Sequence, residues 1–109
     1  MEKNDINKSE VFEFASIIEY ANSSIVSKTI VKLPTGNVSL FAFDKGEELS
    51  EHVAPFDALV QVIDGKAEII INKTPYQLVA GQSIIMPANV VHALKAIEKF
   101  KMILTMIKQ

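Results

Sequence analysis

A chain of 109 residues, 49% of them apolar, has the length and the core material of one domain. Its formal charge is −2 and its eleven cations are all lysines, so there is no basic stripe and nucleic acid is excluded as an expected partner. With no cysteine, disulfides, thiolate metal sites and cysteine nucleophiles are all ruled out, and no apolar run approaches the roughly 20 residues that cross a bilayer.

The polar, acidic start MEKNDINKSE does not read as a signal peptide, so a cytoplasmic protein is expected, with residues 1–10 frayed. Residues 11–21, VFEFASIIEYA, are ambiguous. Val11, Phe14, Ala15 and Ile18 fit a helical face, while VFEF alternates as a strand does. The expectation is a short strand leading into a short helical turn. Residues 1–24 then form an arm of the same domain and residues 25–109 its body.

From residue 25 the pattern is β throughout. IVSKTIVKL (25–33) is rich in β-branched residues, PTGN (34–37) has turn chemistry, and NVSLFAFD (37–44) alternates, so the three read as a hairpin. DKGEELSE (44–51) reads as a polar loop. ALVQVID (58–64) is the next expected strand, ended at the Asp64-Gly65 turn signal, and KAEIIIN (66–72) the one after. A tight turn near Asn72-Lys73 leads to PYQLV (75–79), where proline is confined to a strand start. SIIM (83–86), HALKAIE (92–98) and KMILTMIKQ (101–109) complete the set. Strands every eight to twelve residues, with turns between, predict an all-β sandwich or barrel.

The two histidines, His52 and His92, lie at junctions between loop and strand, where binding groups concentrate. On neighbouring strands of a small barrel both would point inward near its mouth. The plainer reading of each is a partly buried imidazole bonded to a carbonyl, a neighbour or water. No serine sits in a nucleophile elbow and no glycine loop cradles phosphate.

Around these histidines the chain resembles the cupins. GEELSEHVAPFDALVQVIDG (46–65) is similar to their first motif, with Gly46, His52 and Gly65 in register. GQSIIMPANVVHALKA (81–96) is similar to their second, with Gly81, Pro87 and His92 in register. The resemblance covers most of the chain and implies a double-stranded β-helix, the jelly-roll barrel. It also implies a divalent metal held by two histidines and a glutamate of the first motif and one histidine of the second. Of those positions only His52 and His92 are filled. Ala54 stands at the second histidine, Ala58 at the glutamate, Ala96 at the terminal asparagine, and Asn89 at a glycine.

Two imidazoles are a short set. A catalytic zinc keeps three protein ligands, and a non-haem iron site takes two histidines and a carboxylate. Asp57 is one residue out of register for the missing carboxylate and would turn inward only through a bulge or loop. Gln61 falls on the wrong face. The resemblance therefore implies an incomplete site, with His52 and His92 as the remaining ligands for Fe, Mn, Zn or Ni and no tightly bound metal expected.

By parity Ala54, Val60, Val62, Leu94 and Ala96 face the interior, with Ala67, Ile69 and Ile71 as candidates. Either Phe41 with Phe43 or Leu40 with Ala42 joins them. Small side chains at Ala54, Ala58 and Ala96 would leave room for a small, partly apolar ligand held by the imidazoles. The expected function is such a binder; the alternative is a metal-dependent cupin enzyme of dioxygenase or isomerase type, and a third reading is a sensing or interaction module. The tail FKMILTMIK (100–108) is apolar on both faces, which predicts a homodimer, unless the N-terminal Phe12, Phe14, Ile17 and Ile18 cover it.

Overall fold

The computed structural model describes residues 6–108. The expected fraying of residues 1–10 therefore falls partly outside the described residues. The described chain is all β, a seven-stranded antiparallel system: β1 (Ile25–Leu33), β2 (Gly36–Phe43), β3 (Glu48–His52), β4 (Ala58–Ile71), β5 (Thr74–Val79), β6 (Ser83–Met86) and β7 (His92–Ile107).

Two long strands organise it. The first half of β4 pairs with β6 and with the second half of β7; the second half of β4 pairs with β5 and with the first half of β7. One sheet is thus β1-β2-β7-β4-β6 and the other β3-β7-β4-β5, with β4 and β7 passing through both. The sequence reading placed a turn at Asp64-Gly65 and a break at residues 99–100, and both are corrected. The ladder shifts register between Val62 and Asp64 and again between Gly65 and Ala67, so the chain bends there without reversing. Gly65 has φ +78°, and a Cβ on it would run into the Lys99 carbonyl of β7. A glycine with positive φ serves a bulge as well as a turn, which is why the sequence signal was real but its meaning differed.

Other boundaries follow the sequence closely. β1 and β6 match their expected ranges, and the β1–β2 reversal tightens to Pro34 and Thr35. Asn72 and Lys73, both at positive φ, make the two-residue turn between β4 and β5. The loop expected over 44–51 instead contains β3, which carries one apolar residue, Leu49, and so has almost no periodic signal. His52 consequently closes a strand, so its junction is with the loop that follows.

Between the sheets lies the main core, including Phe43, Val60, Val62, Ala67, Ile69, Leu94, Phe100 and Met102, with the Phe43 and Phe100 rings stacked at 4.5 Å. The parity question at β2 resolves on both sides. Phe41 and Phe43 face this core, while Leu40 and Ala42 are buried on the outer face beside Ile103.

That outer face is covered by the N-terminal arm. No strand or helix forms over residues 11–21; the expected helical turn is replaced by one isolated turn, closed by Ser16 N–H on the Glu13 carbonyl at 3.2 Å. Docking outweighs local preference here. Ile18 is 4% exposed against Leu40, Ala42 and Ile103, and Phe14, Ile17 and Tyr20 pack around it. The Tyr20 hydroxyl donates to Asp64 at 2.6 Å and the Lys101 ammonium to the Ala15 carbonyl at 2.7 Å. Burial, then the bonded Asp64 carboxylate, pushes the Tyr20 phenol well above the usual tyrosine value.

Truncation of the anchoring side chain, Ile18→Ala, is expected to cost about 2–4 kcal/mol by equilibrium denaturation, because it opens a cavity between arm and sheet. The equivalent change at fully exposed Val11 should cost nothing measurable.

Candidate functional site

His52 closes β3 and His92 opens β7, and the two are direct cross-strand partners. Their rings meet edge to face, centroids 4.2 Å apart at 74°, with the Nε2 atoms 2.9 Å apart. His52 Nδ1 lies 2.8 Å from the Ser50 carbonyl and His92 Nδ1 3.3 Å from the Val90 carbonyl. His92 is 4% exposed, while His52 stays open to solvent, so the pair sits at the rim of the barrel.

The protons on this pair do not add up comfortably. A carbonyl only accepts, so the short contact to Ser50 commits the single proton of neutral His52 to Nδ1, leaving Nε2 as an acceptor. His92 then has acceptors on both sides, Val90 O and His52 Nε2, and in its neutral form one proton to share between them. A second proton would satisfy both. Burial, followed by the charge of nearby His52, opposes it and holds the His92 imidazole below the ordinary 6.5, against the smaller upward pull of the Val90 carbonyl.

Two loops frame the rim: residues 53–57 between β3 and β4, and residues 87–91 between β6 and β7. The Asn89 N–H donates to the Ala54 carbonyl at 2.7 Å, and the Ala88 N–H to Asp57 Oδ1 at 2.8 Å. Asp57 is therefore a clamp between loops, with its carboxylate turned to backbone. Asn89 has φ 64°, and Gly46, Gly65 and Gly81 are also at positive φ, so these motif positions record backbone demands.

The alanines scatter. Ala54 lies on the rim loop, half-buried. Ala58 is 3% exposed in the core, in register with Met86 and Met106. Ala96 is 5% exposed and lies four residues along β7 from His92, about 13 Å at strand rise. It packs beside Ala67, away from the imidazoles. The sequence reading missed Asn37, whose Oδ1 is buried with no hydrogen-bond partner among the described residues. Alternation back from Phe41 through Ser39 would have placed it inward, had the inner face of β2 been known.

The chain matches the cupin domain profile over residues 39–108, most of its length. The chain belongs to the cupin family. No curated protein matches this cupin. Among solved structures it is similar to a conserved protein of unknown function from Streptococcus pyogenes, at 35% identity over 97% of this chain and 93% of that one, TM-score 0.91. It is similar to a cupin 2 conserved barrel domain protein from Leptotrichia buccalis at 40% identity and TM-score 0.86; the match covers 89% of this chain and 47% of that one. A cupin superfamily protein from Desulfitobacterium hafniense matches at 27% identity and TM-score 0.89 over 98% and 97% of the two chains.

The metal that the family implies does not fit the donor set of this cupin. Among the described residues no three His, Cys, Asp or Glu side chains converge. Among the described residues no carboxylate joins the imidazole pair: Glu51, next to His52 in sequence, pairs with Lys73 at 3.3 Å, and Asp57 is turned to Ala88. Two ligands fall short of the three protein donors that zinc and non-haem iron centres use.

The depressed His92 basicity gives a signed pH effect. Between 6.5 and the lower folded value the unfolded chain binds the extra proton, so stability falls as pH drops through that window and levels off below it. Denaturation midpoints taken from pH 7.5 downward should show this slope, and His92→Gln should flatten it.

Proposed function

We propose that this cupin binds a small, partly apolar molecule at its barrel mouth without a tightly bound metal, and that the imidazole pair is the polar anchor. The supporting observation is the 2.9 Å contact between Nε2 atoms that compete for too few protons. A ligand hydroxyl or amide placed against the rings supplies the missing donor and relieves the conflict. Ile71, the cross-strand neighbour of His92, and the thioethers of Met86 and Met106, which belong to the same apolar cluster, offer the apolar contact. The second reading, a metal-dependent enzyme of dioxygenase or isomerase type, needs His52 and His92 to be completed by a ligand from outside the chain.

Histidine-selective NMR during a fragment screen separates the readings. Binders are expected to shift both ring signals, and His52→Ala or His92→Ala to weaken binding about tenfold, the scale of one lost hydrogen bond. Elemental analysis of protein purified without added metal should find no stoichiometric Fe, Mn, Zn or Ni. Stoichiometric metal that disappears in His52→Ala would establish the second reading instead.

A separate observation favours a homodimer. Val31, Val38, Thr105, Leu59 and Ile85 are successive cross-strand partners over five strands, with Leu33, Gly36 and Ile107 as the adjoining row. All lie on the outer face, where Val38 adjoins the cluster under the arm and the others extend away from it. Val31, Leu33, Ile85 and Ile107 are 49%, 58%, 60% and 71% exposed. Neither row contains a charged residue. Leu59, Ile85 and Ile107 also line a groove of about 880 Å³ with Pro55, Phe56 and Asp57.

A regular sheet face of this kind is matched best by a second sheet, packed about 10 Å away, and a second copy brings an identical uncharged row. Such a row is the apolar centre around which a standard interface of about 800 Å² per partner is built. Sedimentation should give twice the chain mass, and Ile85→Glu or Ile107→Glu should give folded monomer. A monomeric wild-type protein at high concentration would end the dimer reading.

A further inference from the structure

Asn37 is in register with Met106, Met106 with Ala58, and Ala58 with Met86, forming one inward row across β2, β7, β4 and β6. His52, His92 and Ile71 form the corresponding row of the other sheet. The two rows close the same end of the barrel. The chain passes from His52 to Ala58 through residues 53–57, and from Met86 to His92 through residues 87–91. Those two loops are bonded to each other. Ala58, Met86, Met106 and Ile71 also pack in one core cluster, so Asn37 and the imidazole pair face a common apolar space from opposite walls, with packed sheets about 10 Å apart.

Within those two rows the polar side chains are the two imidazoles, Asn37 and, on β5 opposite Ile71, the exposed Thr74. The Asn37 Oδ1 is buried and has no partner among the described residues. Buried amide oxygens are almost always bonded, and one left open beside a binding site is an acceptor awaiting a donor. Neither row carries a charge. Lys32, the β1 neighbour of Asn37, is exposed, and Asp57 is engaged by the Ala88 backbone.

We infer that Asn37 is a recognition residue of the mouth site, and that the molecule bound there is a small neutral compound presenting an O–H or N–H donor to Asn37 Oδ1 while a second polar group meets the imidazole pair. The inference rests on the mouth being a binding site and adds its far wall and the donor character of the ligand. Met106 is the cross-strand neighbour of Asn37 and Met86 closes the far end of the row, and their unbranched thioethers adapt to ligands of differing outline.

Ethylene glycol and 1,2-dimethoxyethane are suitable probes, since the second is the first with both donors methylated. Ethylene glycol is expected to shift the Asn37 side-chain amide resonances together with the His92 ring signals, and dimethoxyethane to leave the Asn37 amide unmoved. Asn37→Leu should abolish the ring shifts and raise the melting temperature by a few degrees, because a site built for a ligand is relieved when its open acceptor is replaced by an apolar group of similar shape.

A lower melting temperature in Asn37→Leu would overturn the inference, since the oxygen would then be bonded in the resting protein, with a lone buried water the simplest partner. Ring shifts with an unmoved Asn37 amide would remove Asn37 from the site and leave the mouth reading intact. If neither signal moves with ethylene glycol, both readings fall.

Discussion

The antiparallel ladder between β4 and β7 is the constraint on which the rest of this molecule depends. It runs from Ala58 opposite Met106 to Ile71 opposite His92, and every other strand except β1 attaches directly to one of these two. Because both strands bend at Gly65 and the facing Lys99–Phe100 segment, one continuous ladder supplies both walls of the barrel. The bend brings β4's two ends, Ala58 and Ile71, to the same opening, so it also decides where the histidines meet.

The rim concentrates polar groups whose hydrogen bonds are unfinished, and the core behind it is saturated with apolar contacts. His92 lies between two acceptors, and among the described residues Asn37 Oδ1 has no donor. Each such group costs about 1–3 kcal/mol if left buried and unpaired. A protein selected only for stability would have replaced them, which is the physical ground for reading the rim as a place where something binds. The alanines at the family's ligand positions point the same way: they remove donors for a metal and leave the imidazoles to act as hydrogen-bonding groups.

Much of this was legible in the sequence because two kinds of signal are local. Glycine and asparagine at positive φ mark backbone geometry wherever it occurs, so Gly46, Gly65, Gly81 and Asn89 located the bends even where turn and bulge were confused. Alternation fixed the buried members of β4 and β7, Val60, Val62, Ile69 and Leu94 among them. What escaped needed tertiary information. β3 has too few apolar residues to show a period, and its pairing comes entirely from β7. The arm has an apolar pattern suited to either regular structure, and it takes neither, because its side chains follow the shape of the sheet beneath. Asn37 sat beside turn residues and read as one of them, since its depth depends on which face of β2 is inner.

The two terminal strands of the sheet path carry a last consequence. β5 has Pro75 in its ladder, opposite Ile70, and β1 is interrupted between Thr29 and Val31. A proline offers no amide hydrogen and a bulge throws neighbouring groups out of step, so neither border offers an unbroken template for a foreign strand. A barrel with so much aliphatic surface on one side would otherwise be prone to runaway end-to-end polymerisation. The other two borders, β3 and β6, are only five and four residues long, so the flat of the sheet is left as the face on which the proposed pairing of two copies would form.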